Sequence, residues 1–129
     1  MREILFRGKK KPWGGWAEGS LVKMRDYYRI SEKNDMISFG VETETIGQFT
    51  GLTDKNGTKI FEGDIVEAVL TNGTHYGFSW GRKVVVFDRG AFCLKDWRDE
   101  ITPMCNYSAN VDFEVLGNIH DNPELLRSE

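Results

Sequence analysis

Thr45-Ile46-Gly47-Gln48-Phe49-Thr50-Gly51-Leu52-Thr53-Asp54-Lys55-Asn56-Gly57-Thr58-Lys59-Ile60-Phe61-Glu62-Gly63-Asp64-Ile65-Val66 decides the fold class of this chain. Glycines and Asn/Asp residues punctuate short runs of β-branched and aromatic residues, the pattern of strand, tight turn, strand, tight turn, strand. Asn56-Gly57 is the sharpest local signal, because that pair accepts the positive φ values a turn between twisted strands demands. The stretch identifies an architecture and carries no catalytic signature.

Working outward, Ile4 to Phe6 reads as a short strand and Trp16 to Met24 as its partner, with a long basic tip, Arg7-Gly8-Lys9-Lys10-Lys11-Pro12, between them. A second hairpin joins the strand around Tyr27-Tyr28-Arg29-Ile30 to Met36-Ile37-Ser38-Phe39 through the polar turn Ser31 to Asp35. Val41 to Ile46 alternates apolar or threonine with acid, as a half-buried strand or extended connection does. Beyond the opening stretch, Ile65 to Leu70 and Lys83 to Phe87 read as strands. Asp88-Arg89-Gly90 has the form of a three-residue hairpin loop leading to Ala91-Phe92-Cys93-Leu94. The charged segment Asp96 to Tyr107, which contains Pro103, reads as a surface excursion. Phe113 to Leu116 is the last strand, and Asn122-Pro123-Glu124 signals a short terminal helix with Asn122 as its cap.

These readings predict a mainly β protein: a small SH3-like barrel or sandwich with extra β-hairpins and a short C-terminal helical turn. At 129 residues the expectation is one domain over 1–129. With 40% apolar residues, eight Phe, four Tyr and four Trp, the chain is too rich in core formers to be disordered. A net charge of −3 argues against a wholesale polyanion binder, so any nucleic-acid contact has to be local. No apolar run reaches the ~18 residues of a spanning helix. The N-terminus lacks a secretory pattern, and a cytoplasmic location in the cell that makes the protein is expected. Cys93 reads as a small buried hydrophobe, and two cysteines alone make no zinc site.

Four segments resemble the YopX family of phage and prophage proteins: Arg2 to Lys9, Thr45 to Gly57, Ile60 to Val66, and Val115-Leu116-Gly117-Asn118-Ile119-His120-Asp121-Asn122-Pro123-Glu124-Leu125-Leu126. The resemblance spans essentially the whole chain, diverging at Tyr27 to Phe39 and Thr71 to Arg82. It implies a mainly β fold and an origin in a bacteriophage or prophage within a bacterial host. It implies no catalytic activity, so there are no family catalytic residues to carry over.

Three candidate functions arise from the residues themselves. Arg7, Lys9, Lys10, Lys11 and Trp13 place clustered cations beside aromatics, as a strand-tracking nucleic-acid surface needs, against the plainer reading of a solvated loop with Trp16 in the core. Tyr76, Phe78 and Trp80, in the glycine-rich loop Gly73 to Gly81, offer contact area for a protein partner or for self-assembly, and strand edges leave a homo-oligomer open. The acids Glu62, Asp64, Asp88, Asp96, Asp99 and Glu100 are expected to serve turns rather than metals. His75 and His120 lie in no ligand or nucleophile motif, and His120 is expected to close the final turn. No phosphate loop or nucleophile elbow is present. The sequence thus favours a non-enzymatic binding or assembly module with no cofactor and no metal. A phage or host protein partner ranks ahead of nucleic acid, and a hydrolase comes third.

Overall fold

A computed structural model describes residues 2–12, 14–32, 36–70, 81–107 and 111–126. The chain is mainly β, with eleven strands and three single 3-10 turns among the described residues. It divides into two compact units, Met1–Gly51 and Leu52–Glu129. No described helix is long and apolar enough to cross a membrane.

The first unit holds β1 (Phe6–Lys9), β2 (Trp16–Lys23), β3 (Tyr28–Glu32), β4 (Ile37–Val41) and most of β5 (Gly47–Thr53), side by side in the order β4-β3-β2-β1-β5. β1 therefore starts later than the sequence suggests and absorbs the first half of the basic segment. Phe6 faces Gly19, and Lys9 faces Trp16. The hairpin is closed beyond β1 by the Lys10 N–H on the Gly15 carbonyl (2.9 Å). The sheet then curls back on itself. The Lys11 N–H donates to the Gly40 carbonyl and the Glu42 N–H to the Lys9 carbonyl, both at 2.9 Å, so the end of β1 meets the end of β4. Ala17, Ile30 and Val41 are fully buried inside the curl, with Phe6, Leu21, Tyr28, Phe39 and Ile46 packed around them.

Two local features depart from the sequence reading. Thr43–Thr45 is a 3-10 turn rather than a strand or extended link. The buried Thr45 hydroxyl donates to the Glu42 carbonyl (2.6 Å) and accepts the Lys9 N–H (2.8 Å), and such side-chain bonds to backbone favour turns over extended chain. Gly19 has a steric role: a Cβ there would overlap the Ser31 carbonyl of the adjacent strand.

In the second unit the end of β5 pairs with β6 (Lys59–Phe61), and a five-stranded antiparallel sheet follows. Its strands are β7 (Asp64–Leu70), β8 (Arg82–Asp88), β9 (Ala91–Lys95), β10 (Ile101–Pro103) and β11 (Val111–Asn118), in the order β10-β9-β8-β7-β11. Ile60, Val66, Ala68, Val85, Leu94, Met104, Val111 and Phe113 form its core. β7 shows no polar alternation because Asp64, Ile65, Val66, Ala68 and Val69 are all buried, so neither face of the strand is a solvent face. Cys93 is a buried thiol, as expected, and Cys105 is exposed.

The β8–β9 loop is one residue shorter than the sequence suggests. Asp88 pairs directly with Ala91, leaving Arg89 (φ 50°) and Gly90 (φ 83°) as a two-residue turn. Two consecutive positive φ values match the right-handed twist of a hairpin, which is why the shorter loop wins. The segment after Asp96 is not a simple surface excursion either: β10 returns to pair with β9, and Met104 enters the core. At the C-terminus, Pro123–Leu126 forms one 3-10 turn with the Leu125 N–H on the Asn122 carbonyl (3.0 Å). The Asn122 Oδ1 accepts the Asn118 N–H at 3.3 Å.

Candidate functional site

The residues of the fold-deciding motifs are occupied in holding backbone. Asp54 is 6% exposed, and its carboxylate accepts three N–H bonds. Oδ1 takes those of Asn56 (2.8 Å) and Thr58 (2.9 Å), closing the Asp54–Thr58 hairpin. Oδ2 takes the N–H of Val115 (2.9 Å) while the Lys55 N–H donates to the Phe113 carbonyl (2.9 Å). The hairpin loop thereby caps β11, an edge strand of its sheet. Burial on its own raises the Asp54 pKa, but the N–H groups of Val115, Thr58 and Asn56 outweigh it and hold the carboxyl below its ordinary 3.8.

Asp64 and Asp96 repeat the device. The Asp64 carboxylate accepts the Phe61 N–H (2.8 Å) across the Glu62-Gly63 turn. Gly63 ties that turn to two neighbours, donating to the Val85 carbonyl and accepting the Ile119 N–H, each at 2.9 Å. Asp96 accepts the N–H groups of Arg98 (2.8 Å) and Glu100 (2.9 Å). Burial raises its pKa, and those two bonds together with the Lys83 and Arg98 charges lower it further than burial lifts it. The same Asp96 charge, after burial, pushes the Tyr107 phenol up to about 12. At the last turn, Asn118 Oδ1 accepts the N–H groups of His120 and Asp121 at 2.9 Å, so His120 sits in the closing turn through its backbone. No group of three or more His, Cys, Asp or Glu able to hold a metal occurs among the described residues.

The basic segment is arranged differently. Residues two apart on a strand share a face, and directly opposed residues of an antiparallel pair do too, so Arg7, Lys9, Trp16 and Glu18 all project from one side of β1 and β2. That side is the outer face, since Ala17 and Ile30 occupy the inner one. The Arg7 guanidinium carbon lies 4.8 Å from the Trp16 ring centre and the Lys9 ammonium 6.0 Å from it. Trp16 is half-buried on this outer face rather than in the core. Lys10 turns the other way, with its ammonium 4.2 Å above Phe39, a residue packed on the inner cluster. Lys11 is exposed in the tip. Trp13, and the loop with His75, Tyr76, Phe78 and Trp80, lie outside the described residues.

The outer face continues along β2 through the exposed Glu18, Ser20 and Val22. Opposite Val22 stands Arg29, 5.9 Å from the Tyr27 ring centre and bonded to Ser38 through Nε on Oγ and Nη2 on the carbonyl, both at 2.9 Å. Sequence reading singled out neither Arg29 nor Tyr27 as a site residue. The available signal was the period-two row Trp16, Glu18, Ser20, Val22, whose register against Arg29 only the pairing supplies. Charge is divided as well. Residues 1–51 carry nine Lys and Arg against seven Asp and Glu, a net +2, whereas residues 52–129 carry eight against thirteen, a net −5.

Two solved structures share the fold over 98% of this chain and 100% of their own. One is protein EF1440 from Enterococcus faecalis (TM-score 0.56, 25% identity), and the other is protein yopX from Bacillus subtilis (TM-score 0.57, 17% identity). No curated protein matches the chain. The YopX protein family matches residues 6–127, nearly the entire length, and this chain belongs to it.

Proposed function

We propose that the chain is a phage- or prophage-encoded binding module, acting inside the bacterial host cell without covalent chemistry, and that it contacts an anionic partner through the outer face of its N-terminal sheet. The observation that carries this reading is the placement of Arg7 and Lys9 side by side over Trp16, on a unit of net +2 within an acidic chain. An acidic chain gives little background attraction for polyanions, so a basic face of this kind is a local feature.

The strand edges support a face rather than an edge as the contact. β11 is capped by Asp54 and Lys55, and β4 has its Ser38 and Gly40 carbonyls engaged by Arg29 and Lys11. β6 and β10 are three residues each, and β10 ends in Pro103. Short, capped or proline-ended edges resist strand addition by another chain.

Light scattering coupled to size exclusion, at several protein concentrations and with or without a mixed DNA and RNA pool, tests the reading. The expected result is a mass increase with nucleic acid at low salt that shrinks at physiological salt. A discrete multimer that ignores nucleic acid and dissociates on Tyr76→Ala, Phe78→Ala or Trp80→Ala overturns it in favour of self-assembly.

A further inference from the structure

Resting on that reading, we infer that the occupant of the face is a single-stranded nucleic acid, laid along the outward row of β2 between two cation–aromatic stations. Lys9 with Trp16 makes the first station, where Arg7, half-buried and with its Nε enclosed, packs on the same ring, and Arg29 beside Tyr27 makes the second. Trp16 and Val22, six residues apart on β2, mark the two ends, and Arg29 is directly opposite Val22. At about 3.3 Å per residue the row is roughly 20 Å long. That length suits a short run of nucleotides, at the lower end of the roughly 4–16 that a small β fold of the single-strand-binding kind covers.

The chemistry selects a single strand over a duplex. In a duplex the flat faces of the bases are stacked on each other, leaving phosphates and groove edges as the contacts. An exposed single strand offers both phosphates and π-faces, and a surface alternating cations with aromatic rings addresses both. Tyr27 is 39% exposed and the Arg29 guanidinium is fixed by Ser38, so the second station is held in place before any ligand arrives. The Arg29 Nη1 also donates to the Tyr27 hydroxyl at 3.4 Å, which holds cation and ring side by side. Glu18 is exposed between the stations and opposes a phosphate chain. It is the one acid in the outward row of β2, and its removal has a predicted sign.

Fluorescence anisotropy with labelled oligothymidylate, oligouridylate and a duplex of equal length, at a series of salt concentrations, tests this. The intact chain is expected to bind the single strands more tightly than the duplex. Tyr27→Ala, at an exposed site, is expected to weaken single-strand binding roughly 5- to 100-fold, the loss of one stacking contact. Lys9→Gln is expected to reduce the slope of log affinity against log salt by about 0.7, the value of one phosphate contact on a single strand. Glu18→Gln is expected to tighten binding. Circular dichroism and thermal unfolding of each variant verify the fold. Equal or tighter duplex binding, insensitive to Tyr27→Ala, overturns the single-strand inference while leaving the anionic-partner reading intact. No binding of either form at low salt overturns both.

Discussion

Replacing Asp54 by asparagine isolates what the loop-to-edge tie contributes. The substitution keeps the side-chain shape and one carbonyl oxygen, so the bonds from Asn56 and Thr58 survive in weaker, uncharged form. The amide NH2 then meets the Val115 N–H where Oδ2 had accepted it at 2.9 Å, donor against donor. Leaving one such N–H unsatisfied costs about 1–3 kcal/mol, which places D54N near 2 kcal/mol destabilised. D54A loses three charge-assisted bonds and is expected at about 3–4 kcal/mol. For a chain of this size D54N should lower the thermal midpoint by roughly 6–10 °C. Thermal and urea unfolding read the loss, and amide exchange at Val115 locates it. Acidification supplies an independent check. The folded carboxyl is held below 3.8, so its contribution is complete well above that value. It declines as pH falls through the unfolded value, where the unfolded chain takes up the proton first, and is gone below the folded one. The gap between wild type and D54N should therefore narrow below about pH 4. A D54N protein within about 0.5 kcal/mol of wild type at neutral pH refutes the tie, because variants away from such features usually fall in that range. So does a gap that stays constant into acid.

Two further expectations follow from the backbone. Gly19→Ala forces a methyl group into the Ser31 carbonyl, and because the obstacle is backbone rather than a flexible side chain, β2 and β3 must separate locally. A loss of about 1–3 kcal/mol in urea unfolding is expected, and an unchanged midpoint would show that the register at Gly19 is wrong. Arg89→Asn places a residue that tolerates positive φ where arginine now holds φ 50°. The exposed 3.6 Å ion pair it removes with Asp88 contributes little, so a gain of roughly 0.5–1 kcal/mol in thermal unfolding is expected. A drop would contradict the two-residue turn.

The sequence by itself determined what local geometry controls. Asn56-Gly57 sets its turn within a few residues, Cys93 sits in an apolar run that buries it, and runs of Val, Ile and Phe between glycines make strands wherever they pair. The family likeness was legible for the same reason: Asp54, Asp64 and Asn118 bond to backbone groups close in sequence, so their spacing is itself the signal. Tertiary structure alone decided the long-range terms. The bond from Val115 to Asp54 crosses 61 positions, and nothing near Asp54 announces it. Asp96 is 8% exposed and accepts the N–H groups of Arg98 and Glu100, two and four positions on, the turn role its position suggests, whereas the return of β10 onto β9 just after it is not announced by the charged segment. The basic segment shows the difference most plainly. Its composition is visible in the sequence, but adjacent residues on a strand point to opposite faces. Register therefore sends Arg7 and Lys9 outward to Trp16, sends Lys10 inward to Phe39, and brings Arg29 to the far end of the same outer face.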